Sequence, residues 1–404
     1  NKKILLKTAA GCDPATATID LDINNVRARI MTGGDMWWNQ GTGNAAYEVP
    51  KGSNKSALFA GSVWVGGFTA DKQLKVCGQT FRADGNDYYP GPLNQLSPGN
   101  NDIDQVTGSE WDRFWKIDRS TINQFRELSR NGGNTMISDF QTIWEWPARG
   151  NGNSPISNGN TYSKAKGTSG APLTMEHRQY APYVDVGGVG NDPDLYNPEL
   201  GDYPGDPTIG DLLGDQYIWW VFNDRGNTKG QSKTEAIGME VQTGAFAFAS
   251  KDFMNDATFY NYKLINWSTS DLDSTFMSTW TDADLGYAFD DYIGCDTIRG
   301  LGILYNGDAL DGAGEPSSYG SDLPMVGVDF FRGPRRPYID SNGVATDSVL
   351  KMTAFTYFNN SNDPRIGDPT NGIQMYNYMT GTSRNGQDFN NDYTGPGNTS
   401  NGLG

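Results

Sequence analysis

The stretch Gln216-Tyr217-Ile218-Trp219-Trp220-Val221-Phe222-Asn223 decides the fold class of this chain of 404 residues. It consists almost entirely of β-branched and aromatic residues. Two similar stretches, 238–248 and 257–266, follow it with polar turns between them. Residues of this kind favour strands, and long strands joined by short turns pair with their neighbours in antiparallel order. The sequence therefore predicts a mainly β protein in which residues 216–266 form an antiparallel meander.

The N-terminal part of the chain repeats the strand pattern in shorter pieces. Residues 18–23 and 26–31 alternate apolar and polar side chains, and the turn residues Gly33-Gly34-Asp35 follow them. The 51 glycines are far more than a typical globular domain of this length contains. Short strands separated by such loops are typical of a sandwich. The predicted architecture is an antiparallel β-sandwich or meander with long Gly/Asn/Asp-rich loops.

Residues 109–130 depart from this pattern and predict one short helical insertion. Ser109-Glu110-Trp111-Asp112 has the form of a capping box, and apolar residues follow at helical spacing. A break near Arg119 is expected to divide the insertion into two short helices.

Composition divides the chain into four segments. They are an N-terminal β-rich region (1–105), a helical insertion (106–150), a loop-rich acidic segment (151–215) and a C-terminal β-rich region (216–404). The pattern is also compatible with one continuous module.

The charge of the chain excludes several classes of partner. It has 31 basic and 48 acidic residues, a net charge of −17. Nucleic acids and anionic membranes bind basic protein surfaces, so we expect neither as a partner. No apolar run reaches the roughly 20 residues of a membrane helix, so we expect no membrane insertion. The chain begins Asn-Lys-Lys and not Met, and we expect it to be a processed or excerpted product.

Histidine and cysteine are scarce, which restricts the chemistry. His177 is the single histidine, and no Gly-x-Ser-x-Gly elbow accompanies it. We therefore expect no enzyme activity and no organic cofactor, although a glycoside hydrolase needs only two carboxylates and stays open. The cysteines, Cys12, Cys77 and Cys295, allow a Cys12–Cys77 disulfide or three reduced thiols.

Two groups of aspartates have the composition of calcium loops, in which carboxylates alternate with glycine and amide residues. They do not meet the spacing of an EF-hand. Structural Ca²⁺ and solvated acidic loops are both compatible with this pattern. The candidate metal ligands are Asp185, Asp192 and Asp194 in the first group and Asp282, Asp284, Asp290, Asp291 and Asp296 in the second.

Paired aromatic residues suggest where a sugar would bind if the protein binds glycans. Trp37-Trp38 and Tyr88-Tyr89 follow glycine-rich turns, and exposed Trp and Tyr side chains suit a sugar platform. Packing in a hydrophobic core is the alternative for all four residues.

Several stretches together resemble a known group of proteins. They are residues 21–28, 33–38, 60–67, 85–92, 111–116, 219–224 and 284–296. These stretches are similar to the N-terminal region of large secreted proteins of Bacteroidota that end in a type IX secretion sorting domain. The resemblance implies translocation across the outer membrane and display on, or release from, the cell surface. It implies no particular activity and no catalytic residues.

This chain differs from the secreted proteins that it resembles in an acidic loop and in its C-terminal end, and it shares short tripeptides with them. Where this chain has residues 185–192, the proteins that it resembles tend to have a regular Asp-x-Asn-Gly-Asp-Gly loop. No sorting module is visible before Gly404, so we expect a longer or cleaved parent chain. The tripeptides that contain Ser274, Thr297 and Ser348 are similar to the O-glycosylation acceptor of that phylum. Glycans at these three positions are therefore expected from the resemblance.

Taken together, these observations predict a non-enzymatic protein of the outer cell surface. It would be a structural or filament-forming subunit or an adhesin, exported by type IX secretion. The expected partners are other copies of itself, cell-surface proteins or glycans, and the secretion machinery during export. A glycan-binding module and a carboxylate-based glycoside hydrolase are the alternatives.

Overall fold

The computed structural model describes residues 11–97, 100–151, 181–187, 195–341, 343–360 and 363–388. It confirms the predicted fold class, because the protein is mainly β, with antiparallel sheets and a few short helices. The first strands are β1 Thr18–Leu21, β2 Arg27–Met31, β3 Asp35–Met36, β4 Trp38–Asn39, β5 Asn44–Ala45, β6 Tyr47–Glu48, β7 Ser56–Leu58, β8 Ala60–Phe68 and β9 Leu74–Cys77. Next come β10 Tyr89–Pro90, β11 Asn94–Ser97, β12 Asn100–Asp102, β13 Trp115–Asp118, β14 Tyr183–Val184, β15 Tyr203–Pro204, β16 Gln216–Asn223, β17 Met239–Ala247 and β18 Phe259–Asn266. The last are β19 Asp273–Asp282, β20 Asp291–Asp296, β21 Leu301–Asn306, β22 Met325–Asp329, β23 Arg335–Ile339 and β24 Ala345–Val349.

The helices are short and lie between the strands. The α-helices are α1 Gln105–Glu110, α2 Arg119–Arg130, α3 Gln141–Trp144 and α4 Gly372–Met379. Single turns of 3₁₀-helix occur at Ser138–Phe140, Pro198–Leu200 and Phe253–Asp256.

Two antiparallel sheets pack face to face. The eight-stranded sheet has the order β19-β8-β3-β2-β6-β7, with β1 beside β2 and β9 beside β8. The five-stranded sheet has the order β10-β16-β17-β18, with β13 beside β16. One hydrophobic core contains residues of both sheets, among them Ile30 and Val63 of the first and Ile218, Phe222 and Val241 of the second. The central architecture is therefore a β-sandwich around this inter-sheet core.

Helices cover the outer faces of both sheets. Met375, Tyr376 and Met379 of α4 pack with Trp64 of β8 on the eight-stranded sheet. Helices α2 and α3 pack with strands β13 and β16 on the five-stranded sheet. A strand buried on both faces needs apolar residues at every position, which explains why Gln216–Asn223 shows no alternation.

The meander predicted for residues 216–266 is present. Strand β16 pairs antiparallel with β17 over its whole length, and β17 pairs with β18 in the same way. The next strand, β19, leaves this sheet and pairs with β8, so that Asp282 lies opposite Ala60. Residues of the segments 1–105 and 216–404 therefore lie in one sheet.

The helical insertion differs in detail from the prediction. Ser109 lies at the end of α1, and the N-cap of that helix is Asp104, whose Oδ1 accepts a hydrogen bond from the Thr107 N–H at 2.8 Å. Residues Trp115–Asp118 form strand β13, which pairs with β16. The predicted capping box at Ser109 is thus wrong, because pairing with the five-stranded sheet overrides the local helical pattern.

The predicted turn at Gly33-Gly34-Asp35 is present and closes the sandwich locally. Gly34 has a φ of 79°, and a Cβ there would lie 2.6 Å from the Phe222 ring. Asp35 forms a bidentate ion pair with Arg82, with Nε–Oδ2 and Nη2–Oδ1 distances of 2.9 and 2.8 Å. Both side chains are buried, so the pair ties the turn to the loop that follows β9.

Residues 286–350, which we call the C-terminal β region, form smaller sheets. Strands β20, β21 and β22 make a three-stranded antiparallel sheet, and β23 and β24 make a hairpin. Leu304 and Tyr319 contact the inter-sheet core, and the Tyr319 hydroxyl donates to the Val49 carbonyl oxygen at 2.7 Å. Most other side chains of this region are at least partly exposed.

Candidate functional site

Five aspartates gather where the sandwich meets the C-terminal β region, and we call them the acidic corner. Asp282 ends β19, Asp284 follows two residues later, and Asp290 and Asp291 stand at the start of β20. Asp311 is added by the loop after β21 and is fully buried. The first four were predicted from the sequence, whereas Asp311 was not.

Backbone N–H groups hold three of these carboxylates in place. Asp291 Oδ2 accepts from Leu285 N at 2.8 Å, and Asp290 Oδ2 accepts from Gly312 N at 2.9 Å. Asp311 accepts from the backbone of Tyr287 and of Tyr319. These bonds link the loop after β19 to the loop after β21, so the corner is a folded unit and not a solvated tail.

The electrostatics of the corner favour protonated carboxyl groups. Burial raises the pKa of Asp282 to about 7, and the nearby charges of Asp284 and Asp368 add to the shift. Burial also raises the pKa of Asp291 to about 7, with smaller contributions from Asp290, Asp311 and Asp284. The pKa of Asp284 is raised by burial as well. Like charges in a partly dehydrated site repel, so each of these groups resists ionisation.

Three side-chain oxygens, two of the acidic corner and one of the neighbouring Asn306, are buried without a hydrogen-bond partner in the part of the chain that the structure describes. They are Asp290 Oδ1, Asp291 Oδ1 and Asn306 Oδ1. Asn306 lies directly opposite Asp291 in the pairing of β20 with β21. A buried oxygen acceptor without a donor is costly, and a cation or a proton would satisfy it. The clustering of such oxygens is the chemical feature that distinguishes this corner.

The other predicted metal ligands lie elsewhere. Asp296 stands at the far end of β20, where it pairs with Arg299 at 2.5 Å, and Arg299 lowers the pKa of its carboxyl. Asp185 is exposed and accepts from Gly187 N at 3.0 Å, and Asp192 and Asp194 lie outside the described residues. Among the residues described, no three His, Cys, Asp or Glu side chains come close enough to share one metal ion.

The predicted sugar platform is wrong, because all four aromatic side chains are buried. Trp37 Nε1 donates to Tyr260 Oη at 2.8 Å, and Trp38 Nε1 donates to Asp35 Oδ2 at 3.0 Å. Tyr88 Oη donates to the Val63 carbonyl oxygen at 2.9 Å, and Tyr89 Oη donates to that of Thr228 at 3.1 Å. These residues stabilise the core and leave no ring face for a ligand.

The predicted Cys12–Cys77 disulfide is also wrong. All three cysteines are free thiols, and Cys12 and Cys77 are buried in different hydrophobic clusters. Burial raises the pKa of the Cys12 thiol to about 12 and raises that of Cys77 as well. Neither is therefore a reactive thiolate at neutral pH.

The three predicted glycosylation positions are on the surface. Ser274, Thr297 and Ser348 are all exposed, Thr297 in the turn between β20 and β21 and Ser348 within β24. The single histidine, His177, lies outside the described residues.

The C-terminal β region exposes large apolar side chains, which we call the apolar C-terminal surface. Each of the following is at least 68% exposed: Phe289, Ile298, Met325, Phe331 and Ile339. Sequence reasoning missed this feature, because exposure depends on whether a second layer covers the strand. The same region carries three exposed arginines close together in sequence, Arg332, Arg335 and Arg336, in addition to Arg299. Of these, Arg335 lies 3.6 Å from Asp347.

None of the described helices is both long and apolar enough to cross a membrane. Comparisons of the chain with models of protein families, with curated proteins and with solved structures find no match.

Proposed function

We propose that this protein is a structural subunit of the outer cell surface that assembles with further copies of itself and is exported by type IX secretion. The observation that carries the proposal is the apolar C-terminal surface. Soluble monomers rarely expose several large apolar side chains in one region, and such patches mark sites of protein–protein contact. The sequence blocks described above support the route of export.

Open sheet edges in the same region favour association through strands. Among the described residues, β20 and β22 of the three-stranded sheet each pair on one side only, and β23 and β24 form a separate two-stranded sheet. Unpaired edges offer rows of backbone donors and acceptors to another chain. Apolar side chains beside open edges are what a subunit needs to bury on assembly.

Charge favours a head-to-tail arrangement of copies. The chain carries a net charge of −17, yet Arg332, Arg335 and Arg336 are exposed close together in the C-terminal β region. This basic group complements the acidic surface that another copy offers. A contact between two different surfaces of the same chain propagates into rings or filaments.

Sedimentation tests the assembly directly. We expect the average molecular mass of the purified chain to exceed that of the monomer and to rise with protein concentration. The variants Phe289→Ser and Ile339→Ser should shift it towards the monomer. The matched variants Val106→Ser and Met136→Ser remove exposed apolar side chains outside the C-terminal β region and should leave the mass distribution unchanged. A wild-type chain that stays monomeric at about 100 μM would contradict self-assembly, because stable specific interfaces have dissociation constants far below this.

The export route needs a separate experiment in the native host. Antibody labelling of intact cells should detect the protein at the surface, and disruption of the type IX translocon should abolish that labelling. Unchanged surface labelling in the disrupted strain would refute this part of the proposal and leave self-assembly untouched.

We also propose that the acidic corner binds Ca²⁺ as a structural ion. The oxygens of Asp290, Asp291 and Asn306 that have no partner are of the type that calcium prefers, and backbone oxygens and water would complete the shell. Calcium added to chelator-treated protein at pH 7.5 should raise the melting temperature by about 2 °C or more. Asp291→Asn should abolish the increase, and Asp329→Asn, an exposed position on β22, should preserve it. An unchanged melting temperature of the wild type would refute calcium binding.

A sugar platform at the aromatic pairs and a carboxylate-based glycoside hydrolase have less support. The residues chosen as a sugar platform are buried, and the acidic corner is held by backbone contacts in loops between strands. Hydrolysis of a polysaccharide by the purified chain would overturn the non-enzymatic proposal.

A further inference from the structure

A cleft of about 380 Å³ opens on the outer face of the five-stranded sheet. Its floor is formed by strands β16, β17 and β18, and its walls by residues 181–185 and 206–207. This volume lies within the range of small-molecule sites in proteins, about 300–1,000 Å³.

The register of the three strands explains why the floor is open. Gly244 of β17 lies between Trp219 of β16 and Asn261 of β18. A side chain at position 244 would collide with Tyr217, since a Cβ there would lie 2.2 Å from Tyr217 Oη. The glycine therefore leaves a gap in the middle of the sheet face that the Tyr217 hydroxyl partly enters.

Four polar groups line this gap without a hydrogen-bond partner in the part of the chain that the structure describes. Tyr217 and Gln242 are only 5% and 4% exposed, yet Tyr217 Oη and Gln242 Oε1 have no partner, whereas Gln242 Nε2 donates to Glu240 Oε1 at 2.9 Å. Asn261 and Lys263, at the mouth of the cleft, also have none for their side chains. None of these four groups uses its hydrogen-bonding capacity within the described chain, and all four line one cleft, so they are available to a ligand or to ordered water.

Among the described residues that line the cleft, the formal charges balance. Arg149 and Lys263 contribute two positive charges, and Asp185 and Asp206 contribute two negative charges. A neutral ligand suits such a rim better than an anion or a cation does. The unpaired groups include donors and acceptors, and a sugar hydroxyl both donates and accepts.

We propose that this cleft binds a neutral saccharide of one or two rings, through Tyr217 Oη, Gln242 Oε1, the Asn261 amide and Lys263 Nζ. The lining of this cleft includes no residue of the buried aromatic pairs or of the apolar C-terminal surface. It would give an assembled subunit a means of holding glycan.

Saturation-transfer NMR on the full chain tests the proposal. Glucose, galactose, mannose, N-acetylglucosamine and cellobiose are each added at about 20 mM, since a few neutral hydrogen bonds give dissociation constants in the millimolar range. We expect transfer to at least one of these sugars. Asn261→Ala and Lys263→Ala should each weaken that binding about three- to tenfold.

The control is Lys251→Ala, which removes an exposed lysine outside the cleft and should leave binding unchanged. Asn261 and Lys263 are exposed, so their variants should keep the wild-type melting temperature and remain interpretable. The proposal is overturned if no sugar in the panel receives transfer. It is equally overturned if Asn261→Ala and Lys263→Ala bind a sugar as well as the wild type does.

Discussion

The five-stranded sheet and the three-stranded sheet of the C-terminal β region are built from similar apolar strands, but they are covered very differently. Every residue of β16 is buried, because the inter-sheet core covers one face and helices α2 and α3 cover the other. In β20, β21 and β22, Leu304 is the one buried residue among those described. Leu304 and Val326 pack against the inter-sheet core, and the other apolar side chains of these strands are at least partly exposed.

This difference separates residues that specify the fold from residues that are available for contact. Burial of a large aliphatic or aromatic side chain contributes about 1.5–3 kcal/mol relative to leaving it exposed. The strands of the sandwich obtain this free energy on folding. The strands of the C-terminal β region retain much of it for association with another surface, which is the basis of the proposed assembly.

The largest expected effect comes from matched ion pairs in the two regions. Arg82→Ala would leave Asp35 charged and buried without its guanidinium partner, and we expect a loss of about 3–5 kcal/mol in the free energy of unfolding. Arg299→Ala removes an exposed ion pair with Asp296 and should cause little change. Urea denaturation of both variants measures the difference. Equal losses of unfolding free energy in the two variants would show that the ion pairs of the two regions do not differ in their contribution to stability.

Matched isoleucines test the same comparison without charge. Ile218 is fully buried in the inter-sheet core, and Ile298 is 89% exposed. Ile218→Ala should lower the free energy of unfolding by about 2–5 kcal/mol, because it removes buried methyl groups and leaves a cavity. Ile298→Ala should change it by less than about 0.5 kcal/mol. A large loss in the Ile298 variant at protein concentrations low enough to prevent association would contradict the exposed position of that side chain.

The sequence predicted the sandwich better than it predicted the sites, for physical reasons. The β-branched and aromatic residues of Gln216–Asn223 favour a strand by local propensity, so this stretch could be predicted from composition. The helical pattern from Ser109 is equally local, but pairing of Trp115–Asp118 with β16 prevails over it. Burial of Trp37 and Tyr88 depends on a second sheet, most of whose strands come much later in the sequence. Exposure and burial are therefore properties of layers, which a single stretch of sequence does not reveal.

The acidic corner was predicted in part for the same reason. Aspartates close in sequence, such as Asp290 and Asp291, were found from their spacing. Asn306 and Asp311 join them only through the register of β20 with β21 and the loop after β21. An Asp/Gly-rich composition at residues 306–312 was the available signal, although it does not distinguish a packed loop from a solvated one.

An intermediate effect is expected from pH at the acidic corner, where the two regions meet. The pKa values of Asp282 and Asp291 are raised in the folded state to about 7, above the value of about 4 in an unfolded chain. Between these values the folded state binds more protons at these two groups, so their contribution to stability is greatest below about pH 4 and is lost as the pH rises through about 7.

The variants Asp282→Asn and Asp291→Asn should therefore flatten this pH profile when calcium is absent. At pH 8 each should stabilise the fold by about 1–2 kcal/mol, less than the full pKa shift implies because water screens a partly exposed carboxylate. Thermal unfolding between pH 4 and pH 8 in a chelating buffer measures this. Variant profiles that run parallel to the wild-type profile over this range would show that the two carboxyl groups are not dehydrated as described.

The smallest expected effect lies deep in the sandwich, where one polar pair interrupts the apolar core. Thr243 of β17 and Trp220 of β16 are opposite each other, and Thr243 Oγ1 and Trp220 Nε1 are both buried without a partner in the described chain. Valine has nearly the shape of threonine and removes the unpaired hydroxyl. Thr243→Val should therefore raise the free energy of unfolding by about 0.5–1 kcal/mol. A loss of stability instead would mean that an ordered water joins the two groups, since such a bridge satisfies both and is costly to remove. Either result shows how completely the sandwich excludes water, which is the property that the C-terminal β region lacks.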